Sequence, residues 1–290
     1  MLLYDLIVGI ISNLISNKIQ KNIEVKENVS TKEKIKLITQ EATLSVPETR
    51  SYIEEVAERL NVSIEHLNTR EGIITFSLIC DFLNWKSVSE IEDYFLGKKE
   101  PSLIFLEGYS NFFGIELDWL RHGKGNIFMK LNQPNLSILG CLKYIVELNP
   151  EQIYFVRSKC NDGYSGIILK MSNYKYLILP KNYKISSNVG EGGSREIEEF
   201  FDLIKSLSLR FGGYKLNGLI ISEDMFSDLF SGKLYFGKLI KTKSQINYWW
   251  DDFLDYEHKM PISINYERFY GVEFIKAQQI VKWRKEKKSA

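Results

Sequence analysis

The chain has 290 residues, 44% hydrophobic and 26% charged, which excludes a disordered or low-complexity protein and supplies apolar surface for two domains. Thirty-eight lysines and arginines against 37 acidic residues leave a formal charge of +1, so no overall field draws nucleic acid or an anionic membrane. The dispersed Cys80, Cys141 and Cys160 and the isolated His66, His122 and His258 fit neither a disulfide framework nor a zinc site; the expectation is reduced thiols in a cytoplasmic protein without metal or cofactor.

Residues 1–19 place Leu3, Ile7, Ile10, Ile11, Leu14 and Ile15 at helical spacing, which predicts an amphipathic helix with a wide apolar face. The uncharged run is shorter than the roughly 20 residues of a spanning helix, and Asp5 stands where a signal peptide is basic, so neither reading is favoured. The face either packs on the protein's own core or meets a partner or a second copy. Up to about residue 45, mixed lysines and glutamates read as a polar linker or solvated helix.

From about Pro47 a succession of short helices is expected. Ile53, Val56, Ala57 and Leu60 form one apolar stripe, residues 61–63 read as a break, and a second helix runs from there towards Gly72. Thr75 is a natural N-cap for a third, with Leu78, Ile79, Phe82 and Leu83 inward. Ser87 opens the next, which buries Ile91, Tyr94 and Phe95 and stops at Gly97. Pro101 opens another. After a turn at Gly114, a last helix is expected to bury Leu117, Trp119 and Leu120, with Trp119 as an anchor beside Leu106 and Phe113.

The ordered set Gly97, Lys98, Lys99, Pro101, Ser102, Leu103, Leu106, Gly114, Ile115, Asp118, Trp119, Leu120, Gly123 and Gly125 resembles the Cro and phage-repressor type of helix-turn-helix domain, over about residues 63–125. The resemblance implies a bundle of five short helices. It also implies that residues 87–96 form a helix for the major groove of duplex DNA, with Ser87, Val88, Ser89, Glu90, Glu92 and Asp93 as its outward positions and Lys98 and Lys99 beside its end. The chemistry of those residues points elsewhere. Three carboxylates on one helix repel phosphate, and from residue 52 to 125 thirteen acidic residues face seven basic ones, a balance of −6. The same surface therefore reads equally as a docking face for protein.

Residues 134–290 have a different texture. A helix and then a strand are expected up to residue 158, a hairpin around Ser172 and Asn173, and a glycine-rich loop with Ser194 capping a helix that buries Ile197, Phe200, Phe201, Ile204 and Leu207. A short run at 219–222, a helix at 225–230, a strand at 234–240 and helices around Trp249 and Ile280 follow. The glycine-rich loop lacks the spacing of a phosphate loop. Asp251, Asp252 and Asp255 share a helical face that could take magnesium, although a solvated acidic face is the simpler reading. Lys276, Lys282, Arg284, Lys285, Lys287 and Lys288 make the tail the strongest local positive charge, either a solvated helix end or a face for acidic groups, this chain's own bundle among them.

The expected fold class is α+β: an N-terminal amphipathic helix and linker (1–45), an all-α helix-turn-helix bundle (46–128) and a C-terminal α+β domain (134–290). No complete catalytic constellation appears, so the chain is not read as an enzyme. Two functions remain: a DNA-binding transcriptional regulator whose C-terminal domain senses or oligomerises, and a protein-interaction adaptor of a bacterial multi-protein system, for example in phage defence.

Overall fold

The computed structural model describes residues 50–68, 72–131, 137–240, 247–255 and 265–289, and the expected N-terminal helix and linker lie outside them. The first helix, α1 (Tyr52–Leu67), buries the stripe Val56, Ala57, Leu60, Ser63 and Leu67. The break expected at residues 61–63 does not occur. Asn61 Nδ2 donates to the carbonyls of Ala57 (2.9 Å) and Phe95 (2.8 Å), and Ser63 Oγ donates to the Leu60 carbonyl (2.7 Å) and shares a bond with the Tyr109 hydroxyl (2.8 Å). Side chains that compete with helix formation in isolation are here satisfied by the helix itself and by its neighbours, so the helix continues.

Local capping chemistry sets the next elements. Thr75 Oγ1 accepts from Leu78 N at the start of α2 (Phe76–Leu83), and Asn84 ends it in the left-handed region. Ser87 caps α3 (Val88–Phe95), which Gly97 closes at φ 67°. Ser102 caps α4 (Leu103–Phe113), closed by Gly114 at φ 69°. In α5 (Leu117–His122) only Leu120 is buried, with Trp119 and Leu117 half-buried against the core; Arg59 closes the helix end, donating from Nε to the Leu120 carbonyl (2.7 Å) and from Nη2 to that of Arg121 (3.0 Å). Leu78, expected inside, is an exposed residue of α2.

After α6 (Ile138–Leu148) come β1 (Gln152–Ser158), β2 (Tyr164–Lys170), β3 (Tyr176–Ile178), β4 (Tyr183–Lys184), α7 (Glu191–Phe211) and β5 (Leu216–Ile221). The remaining helices are α8 (Glu223–Phe230), α9 (Phe236–Ile240), α10 (Trp249–Leu254), α11 (Asn265–Tyr270) and α12 (Val272–Ser289). The strand expected at 234–240 is instead α9: Tyr235, Phe236 and Leu239 are buried at helical spacing, not in alternation. Ser194 lies inside α7, its N–H bonded to the Gly190 carbonyl (2.9 Å), so the helix takes in the glycines expected to form a loop.

The sheet order is β3-β2-β1-β5, with β4 also on β2; β1 pairs antiparallel with β2 and parallel with β5. Strand β1 is buried almost throughout, as expected of a strand covered on both faces. One face, with Tyr154, Val156, Ile168, Ile178 and Leu219, shares a continuous core with α1–α5, α8 and α9. The other, with Ile153, Phe155, Ile167 and Leu169, packs on α6, α7, α10 and α12. Gly166 is obligatory between layers, since a Cβ there would stand 2.2 Å from the Phe230 ring. The result is an α+β arrangement in which residues Tyr52–Ala290 form one compact unit.

Candidate functional site

Helix α2, the turn at residues 84–87 and α3 supply the helix pair from which a reading surface would be built. The turn is tied on both sides: Trp85 N donates to the Cys80 carbonyl (2.8 Å), and the Ser87 hydroxyl accepts from Glu90 N (3.3 Å) and bonds Ser89 Oγ (2.8 Å). Of the outward positions expected on α3, Val88, Ser89 and Glu92 are exposed, while Ser87, Glu90 and Asp93 are half-buried. The exposed Lys98 and Lys99 follow the helix, their backbone N–H groups donating to the Asp93 carbonyl at 2.9 and 3.3 Å.

Glu90 corrects the picture of three carboxylates facing solvent. Its Oε2 accepts from Trp85 Nε1 (2.9 Å), and its Oε1 from the Tyr94 hydroxyl (2.8 Å) and Lys99 Nζ (2.5 Å). Lys99 also stands 5.8 Å from the Tyr94 ring centroid. Glu90 therefore braces α3 and takes up one of the two lysines expected to touch phosphate. Trp85 was not singled out as its partner, although its place just before the Ser87 cap is a signal the sequence carried.

The Lys99 ammonium, then Tyr94 and Trp85, hold the Glu90 carboxyl down at about 2, below the usual carboxylate range. An unfolded glutamate near 4.5 takes up a proton before the folded one does. The stabilisation is thus present above about pH 4.5 and is lost as pH falls towards 2. Denaturant midpoints measured from pH 7 to pH 3 should fall less steeply for Glu90→Gln than for wild type. Parallel curves would show that Glu90 contributes nothing to the acid limb.

Between and beyond these polar groups the surface is apolar. Val88 (41% exposed) and Leu96 (54%) lie on α3 and its end, and Leu103 (47%) and Ile104 (73%) on the first turn of α4. The exposed acids Glu92 and Glu107 are carried by α3 and α4, and Glu100 by the turn between them. Because Phe105 and Leu106 take the core positions of α4, the preceding two apolar residues must face outward, a signal legible in the run of four apolar residues at 103–106.

The other candidates resolve into structural roles. Tyr266 OH donates to Asp252 Oδ1 (3.1 Å) and to Asp255, and Tyr270 OH donates to Asp252 Oδ2 (2.5 Å); among the described residues no group of three acidic, histidine or cysteine side chains is placed to hold a metal ion. The basic tail is solvated on one side only. Arg284 pairs with Glu198 (2.8 Å) and Glu191 (2.5 Å), Lys288 with Glu198 (2.6 Å), and Lys285 with Asp202, so half of its six basic residues pair on α7, while Lys282, Lys287 and Lys288 remain exposed. The three cysteines are free thiols. No helix among the described residues is long and apolar enough to cross a membrane.

No protein-family model matches the chain, and no curated protein sequence matches it. Among solved structures, a chain of respiratory complex I from Thermus thermophilus is similar over 41% of this chain and 94% of that chain, at 16% identity and a TM-score of 0.29, a likeness that carries no argument about function.

Proposed function

We propose that the helical bundle is a protein-docking module and that the chain serves as an adaptor in a multi-protein assembly. The observation that carries this reading is the surface of α3, early α4 and the turn between them: Val88, Leu96, Leu103 and Ile104 exposed, with Glu92, Glu100 and Glu107 exposed on the same stretch of chain. Apolar side chains among carboxylates suit a partner segment that presents apolar residues flanked by lysine or arginine; they do not suit a phosphate backbone. The neutralisation of Lys99 by Glu90 removes a cation from the DNA reading and supports the same conclusion.

A second reading, the DNA-binding regulator, is favoured by the α2–turn–α3 arrangement with Lys98 exposed at its end. Lys98→Ala separates the two cleanly, because Lys98 lies outside the Glu90 network. Titrated against random duplex DNA at low and high salt, wild type is expected to show negligible binding even at low salt. Leu103→Ser with Ile104→Ser should leave the melting temperature unchanged and abolish recovery of the specific partner that wild type retains from its native extract. Glu92→Lys with Glu107→Lys should weaken that complex in a salt-dependent way. Tight DNA binding by wild type, with a salt slope reduced by about one unit in Lys98→Ala, would overturn the docking reading in favour of the regulator.

A further inference from the structure

Helix α12 buries one face only. Phe274, Ala277, Gln278 and Val281 recur at helical spacing and are buried against the neighbouring helices. The opposite face is exposed and carries Lys276, Gln279, Trp283, Glu286 and Lys287, with Lys282 at its border. Trp283 is 54% exposed, and Lys287 Nζ stands 5.2 Å from its ring centroid. An exposed tryptophan leaves a large ring in water, and tryptophan is among the residues that carry most of the energy of protein interfaces. Among the exposed charges of α12, Lys276, Lys282, Lys287 and Lys288 stand against Glu286. Lys276 and Lys288 also pair with Glu273 and Glu198 inside the chain, so Lys282 and Lys287, flanking Trp283, lead the outward charge.

The docking face on the bundle is the complement of this one. Val88, Leu96, Leu103 and Ile104 offer exposed apolar side chains, and Glu92, Glu100 and Glu107 offer exposed carboxylates. Lys98 and Lys99 lie on the same stretch, but Lys99 is held by Glu90. An apolar residue flanked by lysines is what that face calls for, and α12 supplies it. The two faces cannot meet within one copy. Helices α3 and α4 belong to the core on one face of the sheet and α12 to the core on the other, so the sheet stands between them.

We infer that the α12 face carrying Trp283, Lys282 and Lys287 docks on the α3–α4 face of a second copy of this chain, so that the protein assembles head to tail. The inference rests on the docking reading of the bundle and names the partner of that face. Each copy carries both halves of the contact on opposite sides of its sheet, so a pair of copies leaves one half of each kind open and association continues into a ring or a filament.

The test is the mass of the full chain in solution, by sedimentation velocity and light scattering over a concentration series at low and high salt. Wild type should pass from one chain to assemblies of more than two as concentration rises, and dissociate as salt rises. Trp283→Ser, and separately Leu103→Ser with Ile104→Ser, should keep the wild-type melting temperature and weaken association by about tenfold or more. Mixed together, these two variants retain one intact half each and should form a pair of chains and nothing larger. Glu92→Lys with Glu107→Lys should weaken association, and adding Lys282→Glu with Lys287→Glu to the same chain should restore it, because the complementarity is then reversed rather than lost. The inference is overturned if wild type stays monomeric at low salt, if it stops at two chains, or if Trp283→Ser assembles as wild type does. A monomeric wild type that still retains another protein through Leu103 and Ile104 overturns self-association and leaves the docking reading standing. If Leu103→Ser with Ile104→Ser changes neither mass nor partner recovery, the docking reading falls as well.

Discussion

Phe113→Ala is expected to lower the unfolding free energy by about 3–5 kcal/mol, the cost of emptying a large aromatic site that cannot collapse. Phe113 is fully buried at the end of α4, and its ring meets Tyr109 (centroids 4.7 Å apart), Phe112 (5.0 Å), Tyr174 (5.9 Å) and Phe82 (6.4 Å). Tyr174 belongs to the turn between β2 and β3, so this ring joins the bundle to the sheet. The joint is reinforced by the backbone, where Met129 N donates to the Gly114 carbonyl (2.9 Å) and Leu131 N to that of Ile178 (3.0 Å). Denaturation followed both by tyrosine and tryptophan fluorescence and by far-ultraviolet circular dichroism should therefore show one shifted transition in the mutant. If the bundle melted first and left the sheet intact, the shared core would not be the cooperative unit described above.

The second large effect concerns α12. Glu198 is 2% exposed, and its two oxygens accept from Arg284 Nε and Lys288 Nζ. Burial pushes its carboxyl up, but the Lys288 and Arg284 hydrogen bonds outweigh that and hold it below its ordinary value. Glu198→Ala would leave Arg284, itself mostly buried, with the exposed Glu191 as its carboxylate partner among the described residues. A loss of about 3 kcal/mol is expected, at the low end for breaking a buried ion pair because Glu191 remains. Hydrogen exchange should show α12 losing protection first. A loss below about 1 kcal/mol would place these pairs with ordinary surface salt bridges and make the tail a loosely held helix.

The candidate site was half legible from sequence. The span of α3 followed from its Ser87 cap, the inward Ile91, Tyr94 and Phe95, and the stop at Gly97, all of which act within a few residues of the chain. The role of Glu90 did not follow: it depends on Lys99 folding back across the helix end and on Trp85 reaching forward, geometry that a charge count cannot supply. Arg157 was invisible for a related reason. In the sequence it is one basic residue in a strand, and only the fold shows it buried against Gly163, the Tyr270 carbonyl and the Phe274 ring.

Helix ends and turns were legible in the chain because their chemistry is local. Thr75, Ser87, Gly97 and Gly114 begin or end helices as their capping chemistry requires, and the apolar runs around Ser172 and Asn173 form a hairpin, because caps, turns and periodicity act over about four residues. Long-range packing set the remaining features. It carried α1 through Asn61 by giving that side chain the Phe95 carbonyl, made a helix of residues 236–240 by burying Tyr235, Phe236 and Leu239 together, and laid the basic tail on α7. Each of these outcomes turns on a partner distant in sequence or on a whole buried face, and desolvation energies of that kind exceed the few tenths of a kcal/mol by which local propensities differ.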